Sequence, residues 1–498
     1  MAETSFEPRH NEMGRHMISG IFNSGLLQVV KVLCQFVSVI VLSRLLPPSD
    51  FGILAMVSPV YGFITMFQDL GLSQATVQKP GLNHGEVNAF FWINVAVGLL
   101  LTIFIIAISP VVGWYYGEPR TVPLTMAMGL LILVGAAGNQ PGAILTRRME
   151  FGVAAVLGAL GAIAGLAVSI AGALILKNYW ALYWGTAAGI ILPVIGVWIA
   201  TGWKPSLPRR VPGLRAMLQF GGHLTGANVA TYFAGNMDNV LIGHRWGDHD
   251  LGLYDRAYKL LLFPLQRIAG PITSILIPVL SRLTSEPEQY RSIFFKTVRQ
   301  LTLAIWPGII WAIVLADILV PMLLGKQWVN TVPIFQPLAI SGLVQIVNYP
   351  LGPLLISQGR AVEFARWSIV STIICIISFL IGLPYGPVGV ATAFAICVYM
   401  LTPFFWWYAT RSGPIGRWDI PRAILPQSAG ALASGLALLG YRTLVHAPPL
   451  FLLSGGLILS YAVTVLTMCL SPAGRETLKQ TMEAGRRILG HMRLKSEN

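Results

Sequence analysis

The stretch VLSRLLPPSDFGIL (41–54) recurs 200 residues later as LIGHRWGDHDLGLY (241–254). Asp50, Gly52 and Ile53 fall on Asp250, Gly252 and Leu253 without a gap. Each copy lies between two long apolar runs. Each therefore reads as a turn joining two helices, with Asp50, Gly52, Asp250 and Gly252 as the turn residues. Two further echoes follow in the same order. NQPGAILTRRMEF (139–151) matches NYPLGPLLISQGRAVEF (348–364) through its Asn-x-Pro and Arg-x-x-Glu-Phe elements, at offsets of 209 to 213. NYWALYWGTAA (178–188) matches PYGPVGVATAF (384–394) at an offset of 206. Three ordered matches at nearly one spacing mark an internal duplication.

The duplicated material is apolar. Of 498 residues, 55% are hydrophobic and 11% charged, against about a quarter charged in soluble domains. The mean hydropathy is +0.67. About fourteen runs approach the ~20 apolar residues that a span needs, among them 18–46, 52–76, 87–109, 216–242, 255–281 and 333–357. Backbone groups in lipid must be satisfied internally, so these runs read as helices. The expected fold is an all-α polytopic membrane protein of about 14 transmembrane helices: two parallel six-helix repeats plus two C-terminal helices. The domain reading is a cytoplasmic N-terminal segment 1–17, an N-terminal six-helix bundle 18–201, a basic cytoplasmic linker 202–215, a C-terminal six-helix bundle 216–410, two extra helices 423–470, and a basic amphipathic cytoplasmic tail 471–498.

Charge placement orients the chain. With the N-terminus in the cytoplasm and the runs alternating, 24 of the 34 lysines and arginines fall on the cytoplasmic side and six on the other. That bias is the positive-inside pattern, and it places both termini in the cytoplasm. The net charge of +14 is spread between apolar runs and forms no single patch. It points to membrane lipids or an anionic lipid-linked substrate and not to nucleic acid.

Four cations lie inside spans: Lys31, Arg256, Lys259 and Arg267. Each costs about 2.5–3.5 kcal/mol at a helix centre if it faces lipid. They are therefore expected to face a polar cleft, an acidic partner or an anionic ligand. On an ideal helix Arg256, Lys259 and Arg267 fall within about 80° of one another. Asp69 and Asp238 are candidate acidic partners or ion-coupling groups, and Asn236 and Asn239 candidate polar cleft residues. The four cysteines are far apart in apolar runs and read as small buried hydrophobes. There is no P-loop, GxGxxG, HExxH or CxxC motif, so neither cofactor nor metal is expected, and no enzymatic role. Asp248-His-Asp250 has the form of a glycosyltransferase DxD, but the first copy reads Pro48-Ser49-Asp50, so only the second Asp recurs.

The runs LSRLLPPSDFGILAM (42–56) and NMDNVLIGHRWGDHDLGLYDRAYKLLLFPLQ (236–266) resemble the Wzx-type polysaccharide transporter family of the multidrug/oligosaccharidyl-lipid/polysaccharide flippase superfamily. The likeness is to the branch serving exopolysaccharides of the colanic-acid, xanthan or succinoglycan kind. It implies a flippase of the bacterial cell inner membrane. Such a flippase carries a polyprenyl-diphosphate-linked oligosaccharide repeat unit through a cation-lined cleft by alternating access. The polysaccharide polymerase and the chain-length and export machinery are its implied partners. Rival readings are a lipid II flippase, an ion-coupled multidrug exporter of the same architecture, and, from another class, a membrane-embedded glycosyltransferase or polymerase.

Overall fold

The computed structural model describes residues 13–79, 81–207, 232 and 235–483; within it the side chains of 13–24, of 26 and of most of 262–274, Arg267 among them, are not described. The described residues are helices and connecting turns, with no strand among them. In chain order the helices are α1 (Met13–Leu45), α2 (Pro48–Thr65), α3 (Leu72–Gln78), α4 (His84–Tyr116), α5 (Thr121–Arg147), α6 (Phe151–Leu176) and α7 (Trp180–Thr201). After the linker come α8 (Met237–Arg282), α9 (Pro287–Val314), α10 (Ala316–Leu324), α11 (Val332–Asn348), α12 (Leu351–Ser357), α13 (Ala361–Gly382) and α14 (Gly386–Thr410). The chain closes with α15 (Asp419–Leu444), α16 (Pro449–Cys469) and a helical stretch at 472–483. Most of the expected span 216–242, the linker beyond residue 207 and the tail beyond 483 lie outside the described residues.

Among the described residues ten stretches are long and apolar enough to cross a membrane, and one of them, Ala361–Thr410, holds both α13 and α14. The expected fourteen separate spans are not all recovered as such stretches. One reason lies in the second run. The apolar segment 52–76 is not one helix. It stops at Thr65, turns through 66–71 and resumes as the seven-residue α3. Leu70 (φ 47°) and Gly71 (φ 73°) occupy the left-handed region there, which a helix cannot continue through. Another run, 333–357, divides at Tyr349–Pro350 into α11 and α12. Conversely α4 is longer than its apolar run. A capping box between Asn83 and Glu86 starts it early, and Gly117 (φ 64°) ends it late.

Internal contacts divide the chain into two compact units, Met1–Asp255 and Arg256–Asn498. The first packs α4 on α5, α5 on α7 and α6 on α7, with α1 against α6. The second repeats the pattern with α9 on α11, α11 on α14 and α13 on α14. The two extra helices α15 and α16 pack on α9, where Ser460 donates to the Pro307 carbonyl (2.7 Å) and meets Ser434 (2.6 Å). The core of the first unit includes Ile53, Val57, Leu124, Met128 and Tyr183, contributed by α2, α5 and α7. That of the second includes Phe294, Trp306, Leu351, Leu354, Ile420 and Ile424.

The echoed motifs prove to be helix ends. Tyr179 and Tyr385 are the N-cap residues preceding α7 and α14. Arg147 donates to the carbonyls of Thr76 and Lys79 (both 2.7 Å), closing the C-terminus of α3. Its counterpart Arg360 donates to the carbonyls of Tyr408 (3.1 Å), Ala409 (2.8 Å) and Ser412 (3.1 Å), closing α14. A cation at a helix C-terminus satisfies orphan carbonyls and complements the dipole.

One contact departs from the sequence reading of the cysteines. Cys375 on α13 and Cys397 on α14 bring their sulfurs to 3.8 Å. None of the four cysteines is in a disulfide. Mild oxidation of membranes should therefore join Cys375 to Cys397 while Cys34 and Cys469 stay reactive. Counting maleimide-labelled thiols by mass checks this, with a loss of two labels expected in the wild type and none in Cys397→Ser.

Candidate functional site

The duplicated corner has a geometric purpose. The turn of the first copy lies at Leu46–Pro47, and that of the second at Gly247 (φ 81°, ψ −172°), where α8 breaks. Asp50, Gly52, Asp250 and Gly252 are therefore not turn residues, as the sequence suggested. They belong to the first turns of the helices that follow. Extended Pro47 and left-handed Gly247 supply the turns, because both are poor at continuing a helix. A Cβ on Gly52 would fall inside the Asp248 carbonyl, and one on Gly252 inside the Pro48 carbonyl. The same Gly252 Cβ would sit 3.2 Å from the Gly52 nitrogen. The two helix starts thus cross glycine on glycine, each against the other's backbone. Only hydrogen at both positions permits that approach. Asp50 is buried in the first turn of α2, where the positive end of the helix favours an anion.

Beside this crossing the loop between α4 and α5 forms a polar latch. Arg120 binds Glu118 through two guanidinium nitrogens (2.8 and 2.9 Å) and reaches Asp248 at 2.8 Å. His244 Nδ1 lies 2.6 Å from the Tyr115 carbonyl, and its ring stacks on Tyr115 at 4.4 Å. The Arg120 hydrogen bonds hold the Glu118 carboxyl below its usual range, and the same carboxylate, with Asp248, holds the guanidinium charged. Asp248 is thus an ion-pair partner. No cluster of three metal-ligating side chains occurs among the described residues.

The four in-span cations fall in different surroundings. Lys31 is half-buried on α1, its ammonium lying over Gly158 of α6. Arg256 is 6% exposed, so the protein covers its guanidinium. Lys259 is half-buried one turn further along α8. The Arg267 side chain lies outside the described set. Lys31 belongs to the first unit and the other three to the second.

The acidic candidates have local partners. Asp238 is 5% exposed, accepts from Tyr254 Oη (2.9 Å) and takes the Asn239 backbone N–H (2.9 Å). It thereby ties the two arms of α8 across the Gly247 break. Asn236 donates to the Tyr232 carbonyl (2.9 Å) and Asn239 is half-buried. Asp69 lies in the α2–α3 break and accepts from Ser73 Oγ (2.6 Å) and, through both carboxylate oxygens, from the Ser73 N–H (3.2 Å each). Sequence reasoning did not single out Arg120, Asn94 or Ser73. Arg120 and Asp248 are 128 positions apart, and nothing local in the chain announces their pairing.

The described residues form a multi-pass helical membrane protein whose two units repeat one pattern of helix packing. The chain's residues 41–333 match the family described as Polysaccharide biosynthesis protein, and the chain belongs to that family. Among curated relatives, an uncharacterized membrane protein in the cps region of Klebsiella pneumoniae is 26% identical over 381 residues, 75% of this chain and 78% of that one. The lipopolysaccharide biosynthesis protein WzxC of Escherichia coli (strain K12) is 23% identical over 386 residues, 76% of this chain and 78% of WzxC. The succinoglycan biosynthesis transport protein ExoT of Rhizobium meliloti (strain 1021) is 23% identical over 68% of this chain and 69% of its own. Among solved structures, the lipid II flippase MurJ in an inward closed conformation superposes with a TM-score of 0.72 at 12% identity, over 90% of this chain and 98% of MurJ. An inward-facing multidrug resistance MATE transporter reaches 0.60 at 16% identity, over 79% and 96%. At those identities the likeness is one of fold.

Glycine substitutions should have opposite signs at the crossing and away from it. Gly52→Ala and Gly252→Ala each force backbone apart and should destabilise by about 1–3 kcal/mol. Gly142→Ala, in α5 with nothing within 4 Å of its Cβ, should stabilise by up to about 1 kcal/mol. Thermal melts of the detergent-solubilised variants check both. The latch predicts an acid limb. Because the native Glu118 pKa is depressed, its contribution is complete above the ordinary value of 4.5 and fades as pH falls through the lower native value. Melting temperature against pH should show that limb in the wild type and a smaller one in Arg120→Ala.

Proposed function

We propose that the chain is a flippase moving a polyprenyl-diphosphate-linked oligosaccharide repeat unit across the bacterial inner membrane for exopolysaccharide assembly. The observation that carries this reading is the conjunction of a polysaccharide-biosynthesis family with the fold seen in MurJ. The names of WzxC and ExoT, a polysaccharide biosynthesis protein and a polysaccharide transport protein, support it. The excess of cations inside the spans supports it further. A diphosphate carries about two negative charges and its sugars are polar, so neither enters ~30 Å of hydrocarbon unaided. Lys31, Arg256, Lys259 and Arg267 are proposed to line a cleft between the bundles 18–201 and 216–410. There arginine gives bidentate, charge-assisted hydrogen bonds to the diphosphate. The polyprenyl tail stays in lipid. The two bundles rock to expose the cleft to either side in turn. A drug exporter taking cationic substrates would need an acidic cleft instead.

Both termini are placed in the cytoplasm by the distribution of lysine and arginine. The turns at 46–47 and 247, with the Arg120 latch, then lie on the outer face. No catalytic role is assigned to any residue.

Two measurements test the proposal. Deleting the gene should leave complete lipid-linked repeat units on the cytoplasmic leaflet, whereas truncated units would indicate a transferase. Lys259→Ala and Arg267→Ala should reach the membrane at wild-type levels and yield at least tenfold less polymer. Arg256, being buried, is better tested as Arg256→Lys, which keeps the charge and loses the fork. Wild-type polymer from all three removes the cationic binding assignment.

A further inference from the structure

Helix α1 carries glutamine where a span is ordinarily apolar. On an ideal helix Gln28, Lys31, Gln35 and Ser38 fall within about 80° of one another and form one polar edge. Measured along the helix from Leu45, Gln35 lies about 15 Å in, Lys31 about 21 Å and Gln28 about 26 Å. All three fall within the ~30 Å of hydrocarbon that a span crosses. The opposite side of the same helix is apolar. Val29, Leu33, Phe36 and Val37 are 37% to 56% exposed there and cover an arc of about 100°. That side suits lipid, and the glutamine edge does not.

The protein leaves the polar edge unserved. Gln28 and Gln35 are exposed, and among the described residues neither forms a hydrogen bond. Lys31, between them, forms no ion pair among those residues. An unpartnered amide in hydrocarbon is costly, and polar side chains inside spans face water-filled space or one another. Lys31 is half-buried because its ammonium lies over Gly158 of α6, where a Cβ would collide with it. The glycine therefore lets the ammonium settle against α6, with one amide three residues before it and the other four residues after it, on the same helix face.

The chemistry of the edge selects its occupant. Diphosphate oxygens only accept hydrogen bonds. A glutamine amide brings two donors but also an acceptor oxygen, which a diphosphate leaves without a donor. A sugar hydroxyl both donates and accepts, so hydroxyls satisfy both ends of the amide, and the ammonium donates to further sugar oxygens. Gln28 and Gln35 are about 10 Å apart along the axis, the reach of two linked sugar rings.

We propose that this edge of α1, formed by Gln28, Lys31 and Gln35, binds sugar rings of the transported oligosaccharide. The sugar assignment deepens the flippase reading and rests on it. The aqueous exposure of the edge does not.

Two measurements on the purified full-length protein test this. The first uses lipid nanodiscs and a background in which Cys34, Cys375, Cys397 and Cys469 are serine. Gln28→Cys and Gln35→Cys should react with a charged thiosulfonate at least tenfold faster than Val29→Cys and Leu33→Cys. Equal rates at the four positions overturn the proposal. So does spontaneous disulfide pairing of Gln35→Cys between two copies of the chain, which would make the edge a contact between copies. The second is equilibrium binding in detergent with two probes: lipid-linked repeat units extracted from the deletion strain, and polyprenyl diphosphate without sugar. Wild-type protein should hold the sugar-bearing probe at least tenfold more tightly. Gln35→Leu should abolish most of that difference, Gln28→Leu should reduce it severalfold, and Gln35→Asn should retain part of it. Affinity for the sugar-free probe should stay within twofold in all three. Equal loss for both probes, or no loss for either, overturns the sugar assignment. Folded wild-type protein that binds neither probe refutes the flippase reading and the sugar assignment together, while the labelling pattern still reports which side of α1 is wet.

Discussion

The structure of the first unit depends on two backbones approaching each other at Gly52 and Gly252. Helix association in a membrane gains little from hydrophobicity, since lipid tails are as apolar as leucine. Close packing has to supply the attraction, and it requires small residues where main chains meet. At this crossing the constraint is reciprocal. Each glycine lies against the carbonyl at the start of the other helix, Asp248 for Gly52 and Pro48 for Gly252. A duplicated sequence makes such reciprocity natural, because one corner written twice meets its own copy. The preserved spacing of Asp50 and Asp250 from their glycines follows, since each Asp sits in the first turn of the helix that its glycine lets approach.

Much of this is legible in the chain. The three echoes are visible because each copy repeats the same residue type near a helix end: an arginine that reaches another helix's carbonyls, a tyrosine before a helix start, a glycine where a side chain has no room. Arg147 and Arg360 each close the C-terminus of another helix, α3 in one case and α14 in the other, and the Arg-x-x-Glu-Phe spacing they share marks them as sequence counterparts. The helix-forming runs are legible for the same reason, as length and apolarity are local quantities.

What is not legible depends on contact between distant positions or on backbone geometry. Hydropathy carries the second span smoothly through 66–71, because Met66, Phe67 and Leu70 are apolar and a left-handed leucine has no compositional signature. The Asp50 and Asp250 motifs read as the turns themselves. The turns lie before them, because Pro47 and Gly247, and not the recurring aspartates, have the backbone conformations that stop a helix. The cysteine contact joins neighbouring helices at a separation of 22 residues, which matches no local motif. The in-span cations stand out by their cost in lipid, but that argument fixes only what they must avoid. Arg256 meets the requirement by burial, whereas Lys31 does so by lying over α6.

The most direct test of the account is an electron cryomicroscopy map of the protein in lipid nanodiscs with a polyprenyl-diphosphate-linked sugar bound. The account predicts diphosphate density within hydrogen-bonding reach of Lys259 or Arg267, with Gly52 and Gly252 still crossed. Lysine and arginine side chains directed into the acyl chains, with the ligand head bound elsewhere, would contradict it.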